Sequence, residues 1–206
     1  MRHILTALAL AAVSIPAITV AQMPKEAPGK ADVKRVASST YAADPSHTVV
    51  AWQINHFGFN NYIGLAGGGA GTLKLDTANA ANDTVAIELP VSQIITTSAK
   101  LTGELAEERF FDAAKYPTVK FVSTKVVANG TSAQIYGDLT LHGVTKPIML
   151  RARFTGAGNN FYTHKDTIGF EATGHINRSE FGMGGYIPLV GDEVQLLISV
   201  AFEKAS

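Results

Sequence analysis

The chain has 206 residues, 46% of them hydrophobic, with 17 basic and 17 acidic residues and no cysteine. Balanced charge argues against a dedicated nucleic-acid binder, which needs a basic excess or stripe, and the length suffices for one domain with a real core and no disulfide or metal staple. Without cysteine there is no thiolate zinc site, no covalent c-type haem attachment and no lipid-modified cysteine anchor.

Residues 1–21 read as an export signal. Met1, Arg2 and His3 give a short positive start, Ile4 to Val13 is an apolar run, and Thr19-Val20-Ala21 is a small-x-small cleavage pattern. A membrane anchor is the competing reading, since about 20 apolar residues span a bilayer. Pro16 and the lack of a basic stop-transfer flank favour cleavage after Ala21 and a soluble protein in the bacterial periplasm. Residues 22–40 (QMPKEAPGKADVKRVASST) carry prolines and charges but few bulky apolar side chains. They are expected to form a disordered leader before a domain over 41–206.

From Tyr41 onward, short β-type runs alternate with turn residues. Val50, Trp52, Ile54 and His56 share one face of the first strand, opposite Val49, Ala51, Gln53 and Asn55. The stretch Ile63 to Asp76 is rich in glycine, which inside a strand marks bulges and bends where a sheet curls. Thr84 to Leu89 reads as another strand, stopped by Pro90. One helix is expected between Ala99 and Ala114, with Leu101, Leu105 and Phe111 near helical spacing. Strands then follow over Thr118–Val127, Ser132–Leu141, Thr145–Phe154, Asp166–Ile176 and Glu193–Phe202, with turns at Asn129-Gly130 and His142-Gly143. The sum is an all-β domain of about eight antiparallel strands, a barrel or sandwich.

Polar chemistry is sparse. His47, His56, His142, His164 and His175 form no HExxH or HxH pattern, so no metal site is expected. No GxSxG elbow or SxxK motif marks a nucleophile, and Arg178 beside Ser179 is expected to pair with an acid and close a loop. GLAGGGAG lacks the Lys-Ser/Thr ending of a phosphate loop and runs into a strand, so barrel curvature accounts for it better.

Three stretches carry a resemblance. They are YAADPSHTVVAWQINHFGF, with Asp44, His47 and His56 in a D-x-x-H…H spacing; RFFDAAKYPTVKFVSTKV; and YGDLTLHGVTKPIML through GFEATGHINRSEFGM. Together they resemble the YceI-like family of periplasmic, lipocalin-like polyisoprenoid-binding proteins, over roughly residues 41–204. The resemblance implies an eight-stranded antiparallel barrel with a helix beside its mouth and a polyisoprenoid, isoprenoid quinone or fatty amphiphile inside. It implies lipid transport, quinone handling or stress response, and dimerisation through barrel edges. The glycine-rich LAGGGAG departs from the family's bulkier G-x-F-x-x-F-x-G.

The implied function is a carrier without catalytic residues, metal or resident cofactor. Its tunnel is expected to be lined by Val50, Trp52, Ile54, Leu139, Leu141, Ile148, Leu150, Phe154, Phe170, Leu196, Ile198 and Val200, with Phe110 and Phe111 gating the opening. The alternatives are an accessory to a membrane cytochrome or quinone system, with transient inner-membrane contact, and a hydrolase acting on a bound lipid through its histidines.

Overall fold

A computed structural model describes residues 23–205. The expected export signal over 1–21 therefore lies outside the described residues. Eleven strands form one antiparallel sheet: β1 Ser39–Ala43, β2 Val49–His56, β3 Asn60–Gly67, β4 Ala70–Leu75, β5 Thr84–Pro90, β6 Ile94–Ile95, β7 Thr118–Asn129, β8 Ser132–Leu141, β9 Val144–Asn159, β10 Asp166–Asn177 and β11 Val190–Lys204. Among the described residues one α-helix, α1, spans Ala99–Leu105.

The sheet closes. Neighbours run β1-β4-β5-β7-β8-β9-β10-β11, and β11 returns to β1, a ring of eight strands. β2 pairs with β11 as well, over Val190–Ser199, whereas β1 takes Phe202–Lys204 on the same strand. β1 and β2 are thus two halves of one wall strand, interrupted by a short 3-10 turn at Pro45–His47. Proline has no N–H for a ladder. Asp44 stabilises the break by accepting from Ser46 N at 2.9 Å and meeting His47 Nδ1 at 2.5 Å. β3 and β4 repeat the device, with β3 on β2 and β4 on β1. Their corner falls at Gly68, where φ is +72°, a conformation glycine adopts without strain.

The consequence is local opening. β5 pairs with β4 and β7, so β3 leaves the ring there. β6, α1 and the following chain fill the resulting gap: Leu105, Phe111 and Ala113 pack on Ala66, Val91 and Ile94.

The helix is shorter than its expected Ala99–Ala114. Ser98 caps its start by accepting from Leu101 N at 3.3 Å. After Leu105 the chain turns back on itself, as Phe111 N donates to Leu105 O and Ala113 N to Ala106 O, both at 3.0 Å. Asp112 at φ +46° completes that turn. Phe111 reaches the core from the turn rather than from the helix.

The leader also differs from expectation. Residues 33–35 form a 3-10 turn capped by Asp32, and Ser39 and Thr40 already belong to β1. Lys30 pairs with Ala157, N to O at 3.0 Å in one direction and 2.9 Å in the other. The cause is unequal strand length. β8 stops opposite Arg153 while β9 runs on to Asn159, and the leader satisfies the backbone left over.

The core at the β1 end gathers Tyr41, Leu73, Phe154, Ile168 and Phe202. Tyr41 is fully buried, and its hydroxyl donates to Ala37 O at 2.8 Å. Tyr41→Ala is expected to cost about 3–5 kcal/mol and to lower Tm by on the order of 10 °C. Tyr41→Phe, losing only the hydrogen bond, is expected to cost about 1 kcal/mol; thermal unfolding by circular dichroism distinguishes the two.

Candidate functional site

An eight-stranded barrel is just wide enough for ordinary side chains to fill its interior. Here register sets small residues side by side. Ala133 pairs with Ala152, Ala152 with Ala172, Ala172 with Ile198, Ile198 with Val50 and Val50 with Ala66. That row crosses β8, β9, β10, β11, β2 and β3 with four alanines, and all six residues line a cavity of about 570 Å³.

The neighbouring rows are bulkier. Towards α1, Ile135 pairs with Leu150, and Gly174, Leu196, Trp52 and Gly64 lie side by side across β10, β11, β2 and β3. The Trp52 indole lies over Gly64, where an added Cβ would stand 2.1 Å from Trp52 Cζ2. Gly64, just before the glycine-rich departure in the sequence, thus makes room for a tryptophan from the next strand. The indole Nε1 is buried and has no hydrogen-bond partner among the described residues. Trp52 serves by volume rather than by polarity. Towards β1, Phe154 and Phe170 meet edge to face at 5.8 Å, and Phe170 and Phe202 at 6.2 Å.

The twelve residues expected along the tunnel and the two expected to gate it all line this cavity. Val50, Trp52, Ile54, Leu196, Ile198 and Val200 come from β2 and β11; Leu139, Leu141, Ile148, Leu150, Phe154 and Phe170 from β8 to β10; Phe110 and Phe111 from the turn after α1. Beyond the expected set, the alanines, Tyr62, Leu101, Leu105, Met183 and Tyr186 also line the cavity. An alternation of Tyr62, Gly64 and Ala66 was there to be read on β3. The alanine row was not, because it exists only once six strands are in register.

Exposed residues line both ends of the cavity. At the α1 end these are Phe57 and Tyr186, beside His56, Tyr62 and Glu104; at the tip of the β7–β8 hairpin they are Thr131 and Ser132, beside Thr84 and Asp83. Burial pushes the Asp83 carboxyl up, opposed by the Asp76 N–H that it accepts at 2.7 Å.

The histidines do not converge. His56 borders the cavity and packs on Phe57 and Tyr62. His47 contacts Asp44, His142 meets Phe181 O at 3.0 Å, and His164 and His175 are exposed. Among the described residues no three His, Cys, Asp or Glu side chains are placed to hold a metal.

Arg178 shapes the α1 end differently from expectation. Its buried guanidinium pairs with no acid but donates to three carbonyls, Gly191 O at 2.8 Å, Val190 O at 3.0 Å and Met183 O. Those carbonyls bracket the 183–191 loop, so one fork replaces the ladder bonds the loop lacks. Asp192 instead accepts from Ser179 N at 2.8 Å and Ser179 Oγ at 2.6 Å. Burial would raise the Asp192 carboxyl, but these bonds and the Arg178 charge hold it below its ordinary value.

Several known proteins match. A family model described as the YceI-like domain covers residues 41–202. A protein of Escherichia coli called Protein YceI is 35% identical over 170 residues, 80% of this chain and 88% of that one. The crystal structure of Burkholderia cenocepacia BcnA superposes with a TM-score of 0.69 at 22% identity, covering 77% of this chain and 98% of that one. A polyisoprenoid binding domain from Saccharophagus degradans superposes with a TM-score of 0.60 at 11% identity, covering 80% and 98%. These last two likenesses bear on the fold alone.

Arg178→Met is expected to leave buried carbonyls unpaired and to cost roughly 2–4 kcal/mol. Arg178→Lys is expected to restore only part, since one ammonium does not reproduce the fork. Urea unfolding of the three proteins measures both differences.

Proposed function

The chain belongs to the YceI-like domain family, and on that premise we propose that it is a periplasmic carrier holding one long apolar molecule inside its barrel. The ligand is a polyisoprenoid, an isoprenoid quinone or a fatty amphiphile. The observation that carries this reading is the alanine row, which leaves an apolar hollow where ordinary side chains would have filled the barrel.

The energetics suit binding without catalysis. Each buried methylene contributes ~0.8 kcal/mol, so ~20 chain carbons supply ~16 kcal/mol before ordering and association costs. Such a ligand needs length and shape complementarity, with few polar contacts. The scattered histidines fit this reading better than a lipid hydrolase, which needs a nucleophile and a base within hydrogen-bond reach. Delivery to or from the inner membrane, or to a membrane cytochrome that uses quinone, follows as the carrier's task.

Trp52 is the chain's single tryptophan and lines the cavity, so its fluorescence reports occupancy directly. Organic extraction and mass spectrometry of protein from its own cells are expected to recover a long-chain lipid. Farnesol added to delipidated protein is expected to shift Trp52 emission saturably. Ala172→Phe, which fills the alanine row, is expected to weaken that binding about tenfold or more while the protein stays folded. Unchanged affinity in a folded Ala172→Phe protein would count decisively against the carrier reading.

A further inference from the structure

We propose that the apolar rim at the α1 end of the barrel docks on a lipid bilayer through apolar insertion, without charge attraction. This inference rests on the carrier reading and names the surface through which the carrier meets its source of ligand.

Two loops build the rim. Phe57 and Phe59 stand in the β2–β3 turn, and Tyr186, Ile187 and Leu189 in the loop before β11. All five are exposed, Phe59 at 89% of its full area. The loops are tied together, as Phe57 N donates to Leu189 O at 2.6 Å. Phe110 stacks on Tyr186 with ring centroids 6.3 Å apart, joining the turn after α1 to the same rim. Monomeric proteins rarely leave large apolar side chains clustered in this way unless a partner covers them.

The backbone supports a purpose for the exposure. Phe57 and Gly58, the central pair of the β2–β3 turn, both have positive φ, +55° and +73°, and Phe59 N closes the turn on His56 O at 3.1 Å. Such turns favour Asn, Asp or Gly at the first central position. A phenylalanine there contributes strain, and Tyr186 at φ +67° adds a second aromatic residue in the same unfavourable region. Two bulky aromatics held against local preference, at two neighbouring loop tips, are not explained by stability.

Continuity and charge identify the occupant. Phe57 and Tyr186 belong both to the exposed rim and to the cavity wall, so a hydrocarbon chain passing between them and a bilayer need not cross water. The opposite cavity end presents Thr131 and Ser132 instead. The cations beside the rim are already engaged. Arg109 pairs with Glu107 at 3.1 Å and donates to the Tyr186 hydroxyl at 3.0 Å, and Arg178 is spent on carbonyls. A surface of this kind partitions into a neutral bilayer as aromatic residues do at membrane interfaces, with no need for anionic headgroups.

Flotation with phosphatidylcholine vesicles tests the proposal, using protein processed as its own cells process it. Wild type is expected to float with the vesicles equally at low and high salt. Phe59→Asp combined with Leu189→Asp is expected to lower the bound fraction about tenfold or more, with thermal unfolding confirming that it folds. Neither residue lines the cavity, so farnesol affinity read from Trp52 is expected to stay at the wild-type value. Wild type that does not float, that floats only on anionic vesicles and is released by salt, or that floats no better than the double variant overturns the proposal; the first outcome points to a membrane protein as the partner. If farnesol titrates neither protein, the carrier reading fails, and the flotation result still judges the rim by itself.

Discussion

One edge of β11 serves two partners, and the rest of the molecule follows from that sharing. At its C-terminal end β11 holds β1, which closes the ring through β4; nearer its start it holds β2, which leads to β3 and away from the ring. The barrel is therefore continuous at one end and split at the other. The break that permits this is made by Asp44, Pro45 and His47, a few residues that exchange ladder bonds for a capped turn. β3 and β4 diverge at Gly68 in step with this break, and α1 with the chain after it fills the gap between β3 and β5.

The two ends differ in how they are stabilised. At the closed end, aromatic rings and Tyr41 bury large apolar area, and the leader covers spare backbone of β9. At the split end there are fewer ladder bonds. Order there comes from the buried clusters around Phe181 and Ile94, joined by polar devices, chiefly the Arg178 fork and the pairing of Ser179 with Asp192. The alanine row lies between the two ends, and exposed residues border the cavity at both.

Much of this was legible in the sequence, for identifiable reasons. Alternation on β2 and β11 gave the correct inward faces because each strand has one buried side, and a slip of one residue would have exposed them all. Asn129-Gly130 and His142-Gly143 located two hairpins, which fixed β7, β8 and β9 in order. What stayed hidden depends on long-range pairing. The leader has no apolar periodicity of its own and is ordered by the unpaired tail of β9. The helix stops early because Phe111 and Ala113 bond backwards across the turn. Ala133, Ala152 and Ala172 lie far apart in the chain, and no local pattern marks them as neighbours.

The exchange between Trp52 and Gly64 shows how the cavity is sized without being filled. Glycine opposite tryptophan lets the indole lie flat against β3 instead of projecting across the hollow, as the close approach of Cζ2 to the missing Cβ requires. The cost is an indole N–H buried without an acceptor among the described residues, a loss of about 1–3 kcal/mol. A phenylalanine would avoid that cost but leave the wall thinner beside the split between β3 and β5. Trp52, Leu105 and Phe111 all pack on Ala66, Val91 and Ile94 beside α1, and the centre of the barrel is left to the alanines. Trp52 thickens the wall and the alanines set the width of the hollow, and both border the same space.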